Sequence, residues 1–215
     1  MSKRVITAVV ILLVGGAIAL AQQARELSLR GDRFKPLTWE QLTPAQKTMV
    51  DDLLAGSRAS LNGPFNALLR SPEMGNLAQK LGEYVRFRTS VPARLNEMAI
   101  LLTAKSWSSQ YEWYAHKTAA LAAGLDASVI DDIHAGRRPT RMQTDEAIIY
   151  TFSTELRDRH RVTDTTFQAA VKLLGDKGVM DLVAVMGYYD LVSMVLNVDR
   201  YPLPEGVALP FAEPR

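Results

Sequence analysis

The chain has 215 residues, 47% of them hydrophobic and 22% charged, with a formal net charge of +2 and no cysteine. This balance excludes a disordered chain, which combines low hydrophobicity with high net charge. It also excludes a nucleic-acid binder working through phosphate contacts, which carries a basic run. The missing cysteine excludes disulfides, iron–sulfur clusters, zinc–thiolate sites and thiol catalysis.

Residues 1–21 read MSKRVITAVVILLVGGAIALA. Lys3 and Arg4 precede an apolar stretch from Val5 to Leu20, and Ala19-Leu20-Ala21 forms a small-residue cleavage site. This is the layout of a secretory signal peptide. It predicts export, to a bacterial periplasm or the exterior, with cleavage after Ala21. The alternative is an uncleaved N-terminal membrane anchor, although the run is slightly short of the ~20 apolar residues of a spanning helix. Cleavage would remove Lys3 and Arg4 and no acid, taking the net charge from +2 to 0. An exported chain without disulfides must draw its stability from a well-packed helical domain or from an oligomer.

Residues 22–42 are polar and irregular, with Gly31 and Pro36, and read as an extended arm. Thr43-Pro44 is a cap followed by proline at the first helical position, which predicts a helix to about Leu54. Gly63-Pro64 and Ser71-Pro72 mark a loop with a short helix at Phe65–Arg70. Further helices are expected over Glu73–Arg88, over Pro92–Trp107, from a cap at Ser108 or Ser109 to Ala123, over a short segment from Asp126 to Gly136, and over Asp145–Arg159 with Thr144 as its cap. Thr163-Asp164 starts another that ends at Gly175, and the last spans Val179–Val198. Residues 201–215, with Pro202, Pro204, Pro210 and Pro214, form a non-helical tail. No strand alternation appears. The expected fold is all-α, one bundle of about eight helices over residues 43–200.

Histidine is scarce. His160 lies in the charged run Arg157–Arg161, a solvated helix end. His134 stands two residues before Gly136, where an imidazole can meet the last carbonyls of a helix. His116 differs through its neighbours. At about 100° per residue, Ser109, Glu112 and His116 share one helix stripe with Ala119, Ala120 and Ala123, small residues that let another helix approach. Glu97 likewise stands on the apolar face of its helix with Ala93, Ile100, Leu101 and Ala104, and Arg94 lies at the edge of that face. Helices joined by a short turn pack antiparallel, so Glu97 is expected to face Glu112 and His116. Three readings follow. The group is a buried ion-pair cluster that fixes helix register; or a proton-transfer or ligand site with coupled titrations; or a Glu/Glu/His metal set, whose donors and spacing are unselective. Trp107, Trp113 and Tyr188-Tyr189 read first as packing residues, with Tyr188-Tyr189 also placed to line a pocket.

The stretches Arg94-Leu95-Asn96-Glu97-Met98-Ala99-Ile100-Leu101, Tyr111-Glu112-Trp113-Tyr114-Ala115-His116 and Ala123-Gly124-Leu125, flanked by Asn62-Gly63-Pro64-Phe65-Asn66, Gly136-Arg137-Arg138-Pro139 and Gly187-Tyr188-Tyr189, resemble the carboxymuconolactone decarboxylase family. That family belongs to the all-helical alkyl hydroperoxidase D-like superfamily. The likeness spans roughly residues 42–204. The peroxidase branch uses a glutamate, a Cys-x-x-Cys pair and a histidine. Glu97 and His116 match the first and last, and the cysteines would fall at Ser109 and Glu112, so dithiol peroxidase chemistry is unavailable here. The decarboxylase branch does without the pair. The resemblance implies loss of carbon dioxide from a small carboxylated, lactone-like substrate.

On that reading His116 is the general acid, and Glu97 and Glu112 set its tautomer and charge. Arg94, or else Arg86, holds a substrate carboxylate, and Ser109 and Trp113 contribute to substrate binding. The chain is expected to be a lyase or isomerase without cofactor or metal. The alternatives are a non-catalytic exported binding or scaffold protein and a peroxidase-like protein that has lost its cysteines. The family likeness also implies a homo-oligomer (dimer, trimer or hexamer), with the arm and tail placed to wrap a neighbour.

Overall fold

A computed structural model describes residues 25–212; the expected signal peptide and the last three residues lie outside them. The described residues are all-helical, without strands. We number the helices α1 (Pro44–Ala55), α2 (Phe65–Leu68), α3 (Pro72–Phe87), α4 (Ala93–Ser106), α5 (Gln110–Ala122), α6 (Ala127–His134), α7 (Thr144–Arg159) and α8 (Asp164–Asp199). A single 3-10 turn, Trp39–Gln41, lies within the arm.

The helix starts follow local chemistry. The Thr43 hydroxyl accepts from the Gln46 amide, and the Gln46 side chain accepts from the Thr43 amide, satisfying two donors that α1 cannot bond internally. Asp126 caps α6 through the Ser128 amide. At α7 the cap is Gln143 rather than the expected Thr144. Glu146 stands three residues after Gln143 and takes its amide at 2.7 Å, which moves the start of the helix back by one. In α8 the backbone leaves helical geometry at Gly175, where φ is +69°, a value glycine adopts without steric cost. The sequence predicts an end there. The chain restarts immediately rather than at Val179, so two helical segments follow one another.

The second segment of α8 is the centre of the molecule. Leu182, Val185, Tyr189 and Val192 pack against Val85 of α3, Leu95, Ala99 and Ile100 of α4, and Ile149 and Phe152 of α7. A second core joins the arm (Leu29, Leu42) to α1, α2 and α3. A third joins α4, α5 and α6 to Phe211 of the tail. By length and composition α8 could cross a membrane, yet 56% of its most apolar stretch is buried inside the bundle.

The arm and tail lie on their own chain. Amides of Arg33 and Phe34 donate to the backbone and side-chain oxygens of Asp199 at 3.2 and 2.7 Å. Gln110 holds Phe211 by two hydrogen bonds, 2.7 and 2.9 Å. The His134 ring bonds the Pro210 carbonyl at 2.8 Å and stacks on Phe211, so it fastens the tail rather than ending its own helix. His160 is the exposed left-handed cap of α7.

Candidate functional site

Helices α4 and α5 are joined by residues 107–109, a turn closed by the Ser109 amide on the Ala104 carbonyl at 2.9 Å, with Ser108 at φ +46°. So short a turn folds the two helices back to back and sets the acid of one against the imidazole of the other. His116 Nδ1 lies 2.6 Å from Glu97 Oε2 across the pair. One turn earlier on α5, Glu112 Oε2 lies 3.2 Å from His116 Nε2. His116 and Glu112 are buried. Tyr189 closes the assembly from α8, its ring edge-to-face with the imidazole at 4.8 Å.

The two carboxylates are not equivalent. The Glu97 contact is short and aligned as a hydrogen bond. The Glu112 contact is within ion-pair distance but out of line for a hydrogen bond, and Glu112 Oε2 has no hydrogen-bond partner. Burial by itself disfavours an imidazolium, but the contacts with Glu112 and Glu97 outweigh it and raise the His116 pKa to about 9. At neutral pH the ring is therefore protonated, and its Nδ1–H donates to Glu97.

A cavity of about 220 Å³ opens beside this group. That is on the order of seven water volumes at ~30 Å³ each, so it suits a small ligand. Glu112, His116, Tyr188 and Tyr189 line it, while Glu97 does not. The remaining wall comes from the loop after α1 (Arg58, Ser60, Asn62, Gly63, Pro64), from Arg86 and Phe87 at the end of α3, and from Tyr111. The hydroxyls of Tyr188 and Tyr189 are buried without partners, and burial raises both tyrosine pKa values, that of Tyr188 to about 12. Gly82 of α3 admits Tyr188, since a Cβ there would overlap its hydroxyl. Arg58 rests over the Phe65 ring at 5.1 Å and Arg86 over Phe87 at 5.6 Å. Neither guanidinium has a carboxylate at ion-pair distance among the described residues. Two arginines without an ion-pair partner thus share the wall of this small cavity with Glu112 and His116.

Of the residues proposed from sequence, the structure brings together Glu97, Glu112 and His116 and sets Arg86 in the cavity that Glu112 and His116 border. Three others stand elsewhere. Arg94 pairs with Asp145 at 2.7 Å and with the fully buried Glu146. It locks α4 to α7 and is not a cavity residue, because the acids that start α7 capture it. Trp113 points into the third core, 5.3 Å from Phe211 and 5.0 Å from His134. Ser109 is buried without a partner for its hydroxyl and borders a different, larger groove of about 580 Å³ with Trp107, Arg200 and Leu209. Sequence reasoning missed Arg58. It sits in an irregular loop with no periodicity, and only the folding of residues 57–64 over the α5–α8 contact reveals it.

The carboxylates reach the imidazole from its two different nitrogens, so they do not converge on a common point. No group of three or more His, Asp or Glu side chains among the described residues is placed to hold a metal ion. No known family model matches this chain, and no curated protein matches it.

Proposed function

We propose that this protein is a proton-transfer enzyme, a lyase or isomerase acting on a small carboxylated, lactone-like substrate. The observation that carries the reading is a buried histidine, clamped on one nitrogen by Glu97 and loosely held on the other by Glu112, at the wall of a small cavity with two unpaired arginines. Glu97 fixes the ring and its charge. Nε2 and Glu112 form the side that faces the cavity, where a proton can be delivered. Arg86 and Arg58 hold a carboxylate of the substrate. In a decarboxylation, the bond to the departing carboxylate breaks and its electron pair moves into a conjugated carbonyl. The Nε2–H then protonates carbon, and His116 recovers its proton from solvent through Glu112. The carboxymuconolactone decarboxylase resemblance points to the same class, and the absence of cysteine removes dithiol peroxidase chemistry. The amino-terminal segment makes it an exported enzyme cleaved after Ala21, which the mass of the secreted chain tests.

The test is carbon-bound proton exchange and carbon dioxide release from a panel of small carboxylated lactones in deuterated water, followed by NMR. The wild type is expected to turn over one of them, and His116→Gln to abolish that turnover with its helical circular dichroism intact. A panel without exchange or release, with His116→Gln changing stability alone, would make the Glu–His cluster a structural pair in a binding or scaffold protein.

A further inference from the structure

The helix at the centre of the bundle is only partly covered. In the second segment of α8, Met180, Val183, Ala184, Gly187, Leu191, Met194 and Val198 form one stripe at helical spacing, with no charged residue in it. Met180, Gly187, Met194 and Val198 are exposed, Met180 by 64%, and the others are half-buried. Helix α3 extends this surface. Met74, Leu77, Leu81 and Tyr84 form a row on it. Tyr84 donates to Asp181 of α8 at 2.9 Å and accepts from Lys177, so the row runs alongside the stripe. Leu77, 73% exposed, and Leu81, 44% exposed, continue it.

The stripe is symmetric about its glycine. Val183 and Leu191 stand four residues to either side of Gly187, and Met180 and Met194 stand seven. A two-fold axis through Gly187 would set Val183 of one copy against Leu191 of the other and Met180 against Met194. Nothing lies within 4 Å of the position a Cβ on Gly187 would take, so a second backbone can come close at the axis. The extent is sufficient. Nineteen residues at ~1.5 Å each, across two neighbouring helices that together present a width of ~18 Å, give roughly 500 Å² per copy, or about 1,000 Å² for a pair, the threshold a specific interface has to reach.

We propose that this surface is where a second copy of the chain docks, with the two α8 helices antiparallel and crossing at Gly187. A lipid surface fits less well, because the α8 stripe carries no Trp, Lys or Arg anchor of the kind that holds a helix at a membrane interface, and Tyr84 and Lys177 at its edge are both tied to Asp181. The contact is independent of the chemistry proposed for the cavity.

The cysteine-free chain makes the test direct. Gly187→Cys puts one thiol at the axis, and its backbone and surroundings accept a side chain. Mild oxidation with copper–phenanthroline is expected to convert it to a disulfide-linked dimer. Met180→Cys alone should stay unlinked, because its two thiols sit at opposite ends of the contact. An equimolar mixture of Met180→Cys and Met194→Cys chains should cross-link to each other. By sedimentation, the wild type should run as a dimer or a larger even-numbered assembly, and Met180→Glu should raise the dissociation constant of the pair at least about tenfold. Three outcomes overturn the proposal: a monomeric wild type, a Gly187→Cys chain that links no faster than Met180→Cys, or a Met180→Glu chain of unchanged mass that has instead lost binding to phosphatidylglycerol vesicles.

Discussion

Glu112 Oε2 stands 3.2 Å from His116 Nε2 without the alignment of a hydrogen bond, and both residues line the cavity. The opposite nitrogen is held at 2.6 Å by Glu97, which does not reach the cavity. One carboxylate therefore anchors the imidazole, and the other leaves a proton within reach of a ligand. The expected result in a histidine NMR titration is that His116 stays protonated to about pH 9. Glu97→Gln and Glu112→Gln should each lower that midpoint by roughly one pH unit or more, since each removes an adjacent opposite charge. A wild-type midpoint near that of a free histidine would sink the charge assignment.

The same ring couples stability to pH. His116 titrates at about 9 when folded, against 6.5 for the unfolded reference. A group whose pKa is raised by folding contributes its full stabilisation below the unfolded value and loses it as pH rises through the folded one. Stability should therefore decline between pH 6.5 and pH 9, by on the order of 3 kcal/mol. Urea unfolding at both ends of that window measures the decline. His116→Gln should flatten most of it, and an equal decline in that variant would assign it to other groups.

Much of this architecture is legible in the sequence because it depends on short-range rules. Thr43-Pro44 and Thr163-Asp164 start helices, Gly175 breaks one, and two adjacent amphipathic stripes put Glu97 opposite His116. What escaped depends on contacts distant in sequence. Arg94 has the same local setting as a substrate clamp, and only the packing of α7 shows that Asp145 and Glu146 take it. Trp113 belongs to a core completed by Phe211, which arrives from a tail about a hundred residues later. Arg58 enters the cavity on a loop whose path is set by the seating of Phe65 in the second core.

That reassignment of Arg94 can be tested. Glu146 is fully buried, and its charge is compensated by a guanidinium that is itself largely covered. Arg94→Met would leave an acid buried and unpaired, which costs about 3 kcal/mol or more. The double variant Arg94→Met with Glu146→Gln should recover most of the loss, because it removes the unpaired buried charge and keeps an acceptor for the Gln143 amide at the start of α7. Neither should weaken binding of a small carboxylate in the cavity, read by calorimetry, whereas Arg86→Met and Arg58→Met should weaken it at least about tenfold. If Arg94→Met with restored stability lost binding as severely, Arg94 would be the clamp after all.

Gly82 tests how the cavity wall is built. Alanine in a helix interior gains about 1 kcal/mol over glycine, so Gly82→Ala would stabilise α3 if nothing stood beside it. Here the new methyl would overlap the Tyr188 hydroxyl, and overpacking of that kind costs about 1–3 kcal/mol. The expected balance is a lower melting temperature. Tyr188→Phe removes the obstructing oxygen, which has no hydrogen-bond partner to lose, and should be close to neutral alone. Combined with Tyr188→Phe, Gly82→Ala should cost less than it does in the wild type, and the difference in the double-mutant cycle is the steric coupling. Strict additivity of the two changes would mean that Tyr188 is not seated against α3, and the cavity wall would then be drawn differently.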